Sequence, residues 1–118
     1  MKKCWKCKEQ KPKNEFYKCL AEKDGFQKAC KVCQQQMQRF IKYGLTPAAY
    51  DALYNAQKGR CLICNRHNSE CIRGLVIDHC HFSGDIRGLL CEQCNKGLGH
   101  FSDSPSLFRK AAQYLEGR

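Results

Sequence analysis

Asp78-His79-Cys80-His81-Phe82-Ser83-Gly84-Asp85-Ile86-Arg87-Gly88-Leu89-Leu90-Cys91-Glu92-Gln93-Cys94-Asn95 gathers a carboxylate, two imidazoles, a guanidinium, a CxxC pair and an amide within eighteen residues. The apolar run Leu75-Val76-Ile77 leads in, Ile86 to Leu90 forms a second run, and Ser83-Gly84 supplies the turn between them. This pattern predicts a β-hairpin that hands the chain to the Cys91/Cys94 pair. Beyond it, Asn95-Lys96-Gly97-Leu98-Gly99-His100 is too rich in glycine for a long helix but adequate for two turns. Ser104-Pro105 then opens a last helix, with Leu107, Phe108, Ala111, Tyr114 and Leu115 on its apolar side.

The cysteines extend the pattern. The 118 residues hold eleven cysteines, eight of them in four CxxC pairs. Cys4/Cys7 and Cys30/Cys33 form one tetrad and Cys61/Cys64 and Cys91/Cys94 a second, with 22 and 26 residues between the pairs. Two knuckles of this spacing complete a tetrahedral zinc site with Zn–S distances of about 2.3 Å. Segments this short rarely sustain a core alone, so two structural zinc ions are expected to supply much of the folding free energy. Cys19, Cys71 and Cys80 remain as small buried or surface thiols, with Cys71 and Cys80 as alternative ligands. No apolar stretch is long enough for a membrane span, and Met1-Lys2-Lys3-Cys4 leads into no signal-peptide core, so a cytoplasmic location without disulfides or membrane partner is expected.

Charge divides the chain. Residues 1–43 carry twelve Lys/Arg against four Asp/Glu, and residues 44–118 carry nine against seven. Each tetrathiolate zinc is a −2 unit, which lowers the formal net charge of +10 to about +6, nearly all of it in the first segment. A surplus so placed attracts a polyanion, and Lys2, Lys3, Lys6, Lys8, Lys11, Lys13, Arg87 and Lys96 are the candidate nucleic-acid contacts. The expected organisation is a basic four-cysteine zinc module over 1–43, a linker helix over 44–60 and a second zinc-stabilised domain over 61–118. Gln34 to Tyr43 reads as helix, stopped by Gly44 and followed by a Thr46-Pro47 start. In the segment that follows, Tyr50, Leu53, Tyr54 and Gln57 share one face, ending at Gly59. Trp5, Phe16, Tyr17 and Phe26 are expected to fill a very small core.

A zinc with four sulfurs has no open position and serves as scaffold. The side chains it would fasten together are oxygen donors and proton carriers, a set suited to magnesium-assisted phosphodiester cleavage. Asp78 and Asn95 offer a hard cation one charged and one neutral oxygen. His79, with an ordinary pKa of about 6.5, suits the general base. His81 holds the phosphate or orients the water, and Arg87 clamps a phosphate through its planar fork. Neighbours on a regular strand point to opposite faces, so the strand must end or bulge between Asp78 and His79. The bland alternative is a structural ribbon in which the histidines join a zinc site.

The pattern Asp78-His79-Cys80-His81, Ser83-Gly84, Arg87-Gly88-Leu89-Leu90-Cys91, Cys94-Asn95 and Gly97-Leu98-Gly99 resembles the phage recombination endonuclease VII family, a branch of the HNH (ββα-metal, or His-Me finger) nucleases. The likeness covers roughly residues 57–101, with Leu107 to Leu115 similar to the family's following helix. It implies a small α+β zinc-stabilised fold and a DNA endonuclease dependent on magnesium or manganese. It also implies His79 as general base, Asp78 and Asn95 as metal ligands, His81 near the scissile phosphate, and 5′-phosphate and 3′-hydroxyl ends. Residues 4–33, including Lys11-Pro12, Glu15-Phe16-Tyr17 and Lys23-Asp24-Gly25, are similar to zinc-binding leads that precede nuclease domains in phage proteins. Junction-resolving members carry an extended C-terminal region that helps form a dimer, whereas here one helix precedes Arg118. The expectation is therefore a nicking or structure-selective enzyme on double-stranded or branched DNA, in the host cytoplasm if phage-encoded. A homodimer through residues 34–58 remains open. Against this stand a non-catalytic zinc-dependent nucleic-acid-binding regulator and, more distantly, a treble-clef protein adaptor.

Overall fold

A computed structural model describes residues 1–117, so the final position of the expected 61–118 domain lies outside the described residues. The protein is a small α+β fold of two compact units, Met1–Tyr50 and the chain from Asp51 onward.

In the first unit β1 (Lys2–Lys3) pairs antiparallel with β2 (Gln10–Lys11), and the Cys4/Cys7 knuckle is the connection between them. The chain reverses because Lys8 takes a left-handed conformation (φ 66°) and returns its N–H to the Cys4 carbonyl at 3.0 Å. Lys18 and Phe26 form an isolated antiparallel bridge, after which the second cysteine pair opens α1 (Lys31–Tyr43). The helix begins three residues before Gln34, where it was expected, because Cys30 takes the extended N-cap conformation and the Gln34 N–H already reaches its carbonyl at 2.9 Å. Gly44 ends it in the left-handed region (φ 68°), a geometry costly for any residue with a Cβ. The core is Cys4, Phe16, Ala29, Cys30 and Cys33, with Phe26 and Met37 packed against it. Burial of Phe16 contributes about 1.5–3 kcal/mol. Trp5 and Tyr17, assigned to this core from sequence, are instead exposed, because a core of five buried residues is filled by one aromatic ring and the thiols.

The helix α2 (Pro47–Ala56) starts as expected, the Thr46 Oγ1 accepting the Ala49 N–H at 3.2 Å. In the second unit the Cys61/Cys64 knuckle reverses through Asn65 (φ 65°), whose N–H reaches the Cys61 carbonyl at 3.0 Å. The hairpin follows: β3 (Val76–His79) against β4 (Ile86–Leu90), antiparallel, with Val76 opposite Leu90, Ile77 opposite Leu89 and Asp78 opposite Gly88. Leu75, Leu89 and Leu90 are buried around it. The Gln57 amide extends the ladder, its Oε1 accepting the Leu89 N–H at 2.9 Å and its Nε2 donating to the Leu89 carbonyl at 2.8 Å. A Cβ on Gly88 would lie 3.2 Å from Gln57 Oε1 and 2.6 Å from Leu62 Cδ1, so the exposed Leu62 side chain would have to move aside. Cys91 caps α3 (Glu92–His100), which packs on β3, completing a ββα unit.

A final helix, α4 (Pro105–Leu115), is capped by Ser104. Its expected apolar side is only partly covered: Phe108 stacks on Phe101 with ring centroids 4.8 Å apart, whereas Leu107, Tyr114 and Leu115 are exposed. Among the described residues no helix is long and apolar enough to cross a membrane.

Candidate active site beside the second cysteine tetrad

The two cysteine tetrads come together as paired in the sequence. In Cys4/Cys7/Cys30/Cys33 and in Cys61/Cys64/Cys91/Cys94 the sulfurs lie within 4.8 Å of one another. Four thiolates at about 2.3 Å from one ion would be about 3.8 Å apart. The Cys64 and Cys91 sulfurs are 3.6 Å apart, so the donor set and its spacing fit zinc. The local electrostatics favour thiolate. Burial pushes Cys4 up, but the backbone N–H groups of Cys7, Cys30 and Lys6 outweigh it and bring its pKa down to about 6. In the second tetrad burial of Cys61 is likewise overcome, by the N–H groups of Cys64, Cys91 and Ile63, with the same result of about 6. The last thiol of each set, Cys33 and Cys94, is instead pushed up, by burial first and then by the neighbouring sulfurs, Cys33 to about 12. Cys19, Cys71 and Cys80 belong to neither tetrad.

The hairpin carries the rest. Its register breaks between Asp78 and His79: Asp78 faces Gly88 while His79 faces Ile86, so Arg87 is one residue too many on β4. A bulge of this kind turns side chains that would otherwise alternate. Asp78 is buried, and Arg87 binds it two ways, Nε to Oδ2 at 2.7 Å and Nη2 to Oδ1 at 2.9 Å. The same Nη2 reaches Asp103 Oδ2 at 3.3 Å, and His81 Nε2 lies 3.8 Å from that oxygen. The rings of His79 and His81 meet edge to face at 5.1 Å. Contacts thus link His79, His81, Asp103, Arg87 and Asp78 into one cluster. A cleft of about 240 Å³ opens beside it, lined by Asp78, Arg87, Leu62, Ile63, Gly88 and Leu98.

Two of the Arg87 nitrogens are engaged by carboxylates, Asp78 above all, whose hydrogen bonds and charge raise its pKa further. His81 lies in the turn beyond β3 and is exposed, so it reaches His79 through the turn and not along a regular strand. Asn95 sits half-buried in the first turn of α3, its N–H on the Cys91 carbonyl at 3.0 Å, and no polar contact joins it to Asp78 among the described residues. The donor chemistry fits a hard divalent cation. A carboxylate has roughly four lone-pair sites and Arg87 uses two, and Asp78, Asp103 and Arg87 together carry one net negative charge.

Of the candidate nucleic-acid contacts, Lys2 pairs with Asp24, and Lys96 with Glu92 at 3.0 Å. Lys11 points at Cys30 Sγ (3.4 Å), and that contact raises its pKa. Lys13 lies over the Phe26 ring. Lys3, Lys6 and Lys8 have no carboxylate partner among the described residues. Sequence reasoning missed Asp103, a lone acid whose meaning depends on a guanidinium sixteen residues away. It also missed Gln57, read only as one face of a helix.

The profile of the family described as recombination endonuclease VII matches residues 36–117. The chain belongs to this family. Gene 59 protein of Mycobacterium phage L5 is 37% identical over 99 residues, 83% of this chain and 60% of that protein. Gene 59 protein of Mycobacterium phage D29 is 37% identical over 99 residues, 83% of this chain and 59% of the relative. The chain thus spans about 60% of the length of these curated relatives. The crystal structure of the ββα-Me type II restriction endonuclease Hpy99I is similar at 25% identity and a TM-score of 0.45, over 97% of this chain and 64% of that one.

Proposed function

We propose that this chain is a metal-dependent DNA endonuclease of the HNH type that hydrolyses phosphodiester bonds and nicks duplex or branched DNA. The observation that carries the reading is the register break at Asp78/His79, which lets two sequence neighbours join one cluster of chemically matched groups. Family membership supports the same reaction class.

On this reading Asp78 and Asn95 hold magnesium or manganese. The ion supplies charge neutralisation at the scissile phosphate. His79 accepts a proton from the attacking water, with its ring placed edge-on against His81. His81, exposed at the turn, contacts the phosphate or the water. Arg87 holds the buried Asp78 carboxylate in orientation through its two-point contact. Two zinc ions brace the scaffold. Residues 1–43 grip the DNA backbone through Lys3, Lys6 and Lys8, residues 44–60 link, and residues 61–118 cut. Phosphate contacts of this kind give affinity without reading sequence.

A second reading, a zinc-dependent DNA-binding regulator, draws on the two-point hold of Arg87 on Asp78, which would make that carboxylate structural. Incubation of supercoiled plasmid with zinc-loaded protein separates the two. Nicking that requires magnesium or manganese and stops with EDTA supports the nuclease. Retained plasmid binding with no nicking in either metal supports the regulator.

A further inference from the structure

Arg87 has five N–H donors in a planar fork. Nε and Nη2 are engaged, Nε with Asp78 and Nη2 with both Asp78 and Asp103, while the Nη1 edge has no partner among the described residues. The side chain as a whole is 38% exposed. Asp103 is fixed by the main chain. Ser102 and Asp103 both take left-handed conformations (φ 53° each), and the Asp103 N–H bonds the Leu98 carbonyl at 2.9 Å. Two such residues in succession cost about 1–2 kcal/mol each, a strain retained here at the point where the carboxylate meets Arg87.

We infer that Asp103 is a positioning residue that, together with Asp78, holds the Arg87 guanidinium so that its Nη1 edge meets a DNA phosphate. This rests on the endonuclease reading above. One carboxylate leaves a long side chain free to pivot about the shared pair; a second acceptor on the same nitrogen removes that freedom. The same Asp103 oxygen lies 3.8 Å from His81 Nε2, which ties the turn to the clamp.

Asp103→Asn is the informative substitution, because asparagine tolerates the left-handed backbone and removes only the charge. A double-mutant cycle with Arg87→Ala tests the coupling, with Arg87→Lys replacing it if the alanine variant loses zinc. Duplex DNA binding, read by fluorescence anisotropy across salt concentrations without divalent cation, is the first readout. Arg87→Ala should flatten the slope of log K against log salt by about 0.9 in the wild-type background, and by much less in Asp103→Asn. Plasmid nicking is the second: Asp103→Asn should raise KM modestly as the phosphate contact weakens and lower kcat about tenfold, the pattern of lost orientation. An equal slope change in both backgrounds, or tighter binding by Asp103→Asn with kcat intact, would overturn the inference. Intact coupling with no cleavage by the wild type would overturn the endonuclease reading instead and leave the positioning role standing.

Discussion

The two units are built on one plan and differ where chemistry would reside. Each opens with a CxxC knuckle closed by a left-handed residue, Lys8 in one and Asn65 in the other. Each places its second cysteine pair at a helix start, with Cys30 and Cys91 as N-caps. Cys4 and Cys61 receive corresponding N–H donors and have the same lowered pKa of about 6. Each also pairs extended segments ahead of that helix. Twelve residues before Cys30 stands Lys18, bridged to Phe26; twelve before Cys91 stands His79, paired with Ile86. Phe26 lies four residues before its cysteine and Ile86 five, and the additional residue is Arg87. Tyr17, Lys18 and Gln34 thus stand at the positions of Asp78, His79 and Asn95. The cysteine-tetrad scaffold is shared, whereas one bulge and a few side chains distinguish a candidate active site from a candidate basic grip.

Several experiments can break that comparison. The largest effect is expected from Cys91→Ser, which should unfold the second unit and abolish cleavage, because a zinc site lacking one thiolate loses folding free energy. Cys30→Ser should instead lose one zinc per chain and leave the hairpin folded. Zinc content and near-ultraviolet circular dichroism report both, and a folded Cys91→Ser protein with two zincs would show the pairing to be wrong. Deletion of Arg87 should come next, removing the additional residue and giving β3 and β4 a regular register. Cleavage should fall by about 10² or more while zinc is retained, since the general base is turned away.

A smaller effect is expected when Lys3, Lys6 and Lys8 are changed to glutamine. Each should lower the salt slope of DNA binding by at most about 0.9, with cleavage at saturating DNA preserved. Acid tests both tetrads at once. Cys4 and Cys61, with pKa values lowered to about 6 from an ordinary 9.0, contribute stability that is present above 9 and lost as pH falls through 6. Titration from pH 8 to 5 should therefore release both zincs in one step below about pH 6. Two well-separated steps would show the tetrads to be unequal.

Much of this was legible in the chain because spacing and turn chemistry are local. The CxxC pairs, the Ser83-Gly84 hairpin, the Gly44 stop and the Thr46-Pro47 start each follow from a few adjacent residues. A strand end or bulge between Asp78 and His79 was legible too, on the reading that both serve one phosphate, and the register does break there. What escaped depends on tertiary contact. The carboxylate partners of Arg87 were not legible because they lie nine and sixteen residues away in sequence. The early start of α1 escaped because a cysteine capping a helix leaves no Ser, Thr, Asp or Asn signal. Hydrophobicity alone placed Trp5 and Tyr17 inside, although the cysteine-lined core has room for little beyond Phe16 and the thiols.

The most direct test of the claim that chemistry belongs to the second unit is a matched pair of substitutions at equivalent positions. Zinc-loaded His79→Ala and Lys18→Ala would be compared with wild type in magnesium-dependent nicking of supercoiled plasmid. His79→Ala should cut about 10²-fold more slowly or worse while binding DNA normally, and Lys18→Ala should keep its cleavage rate at saturating DNA. Unchanged nicking by His79→Ala, or an equal loss in Lys18→Ala, would contradict the account.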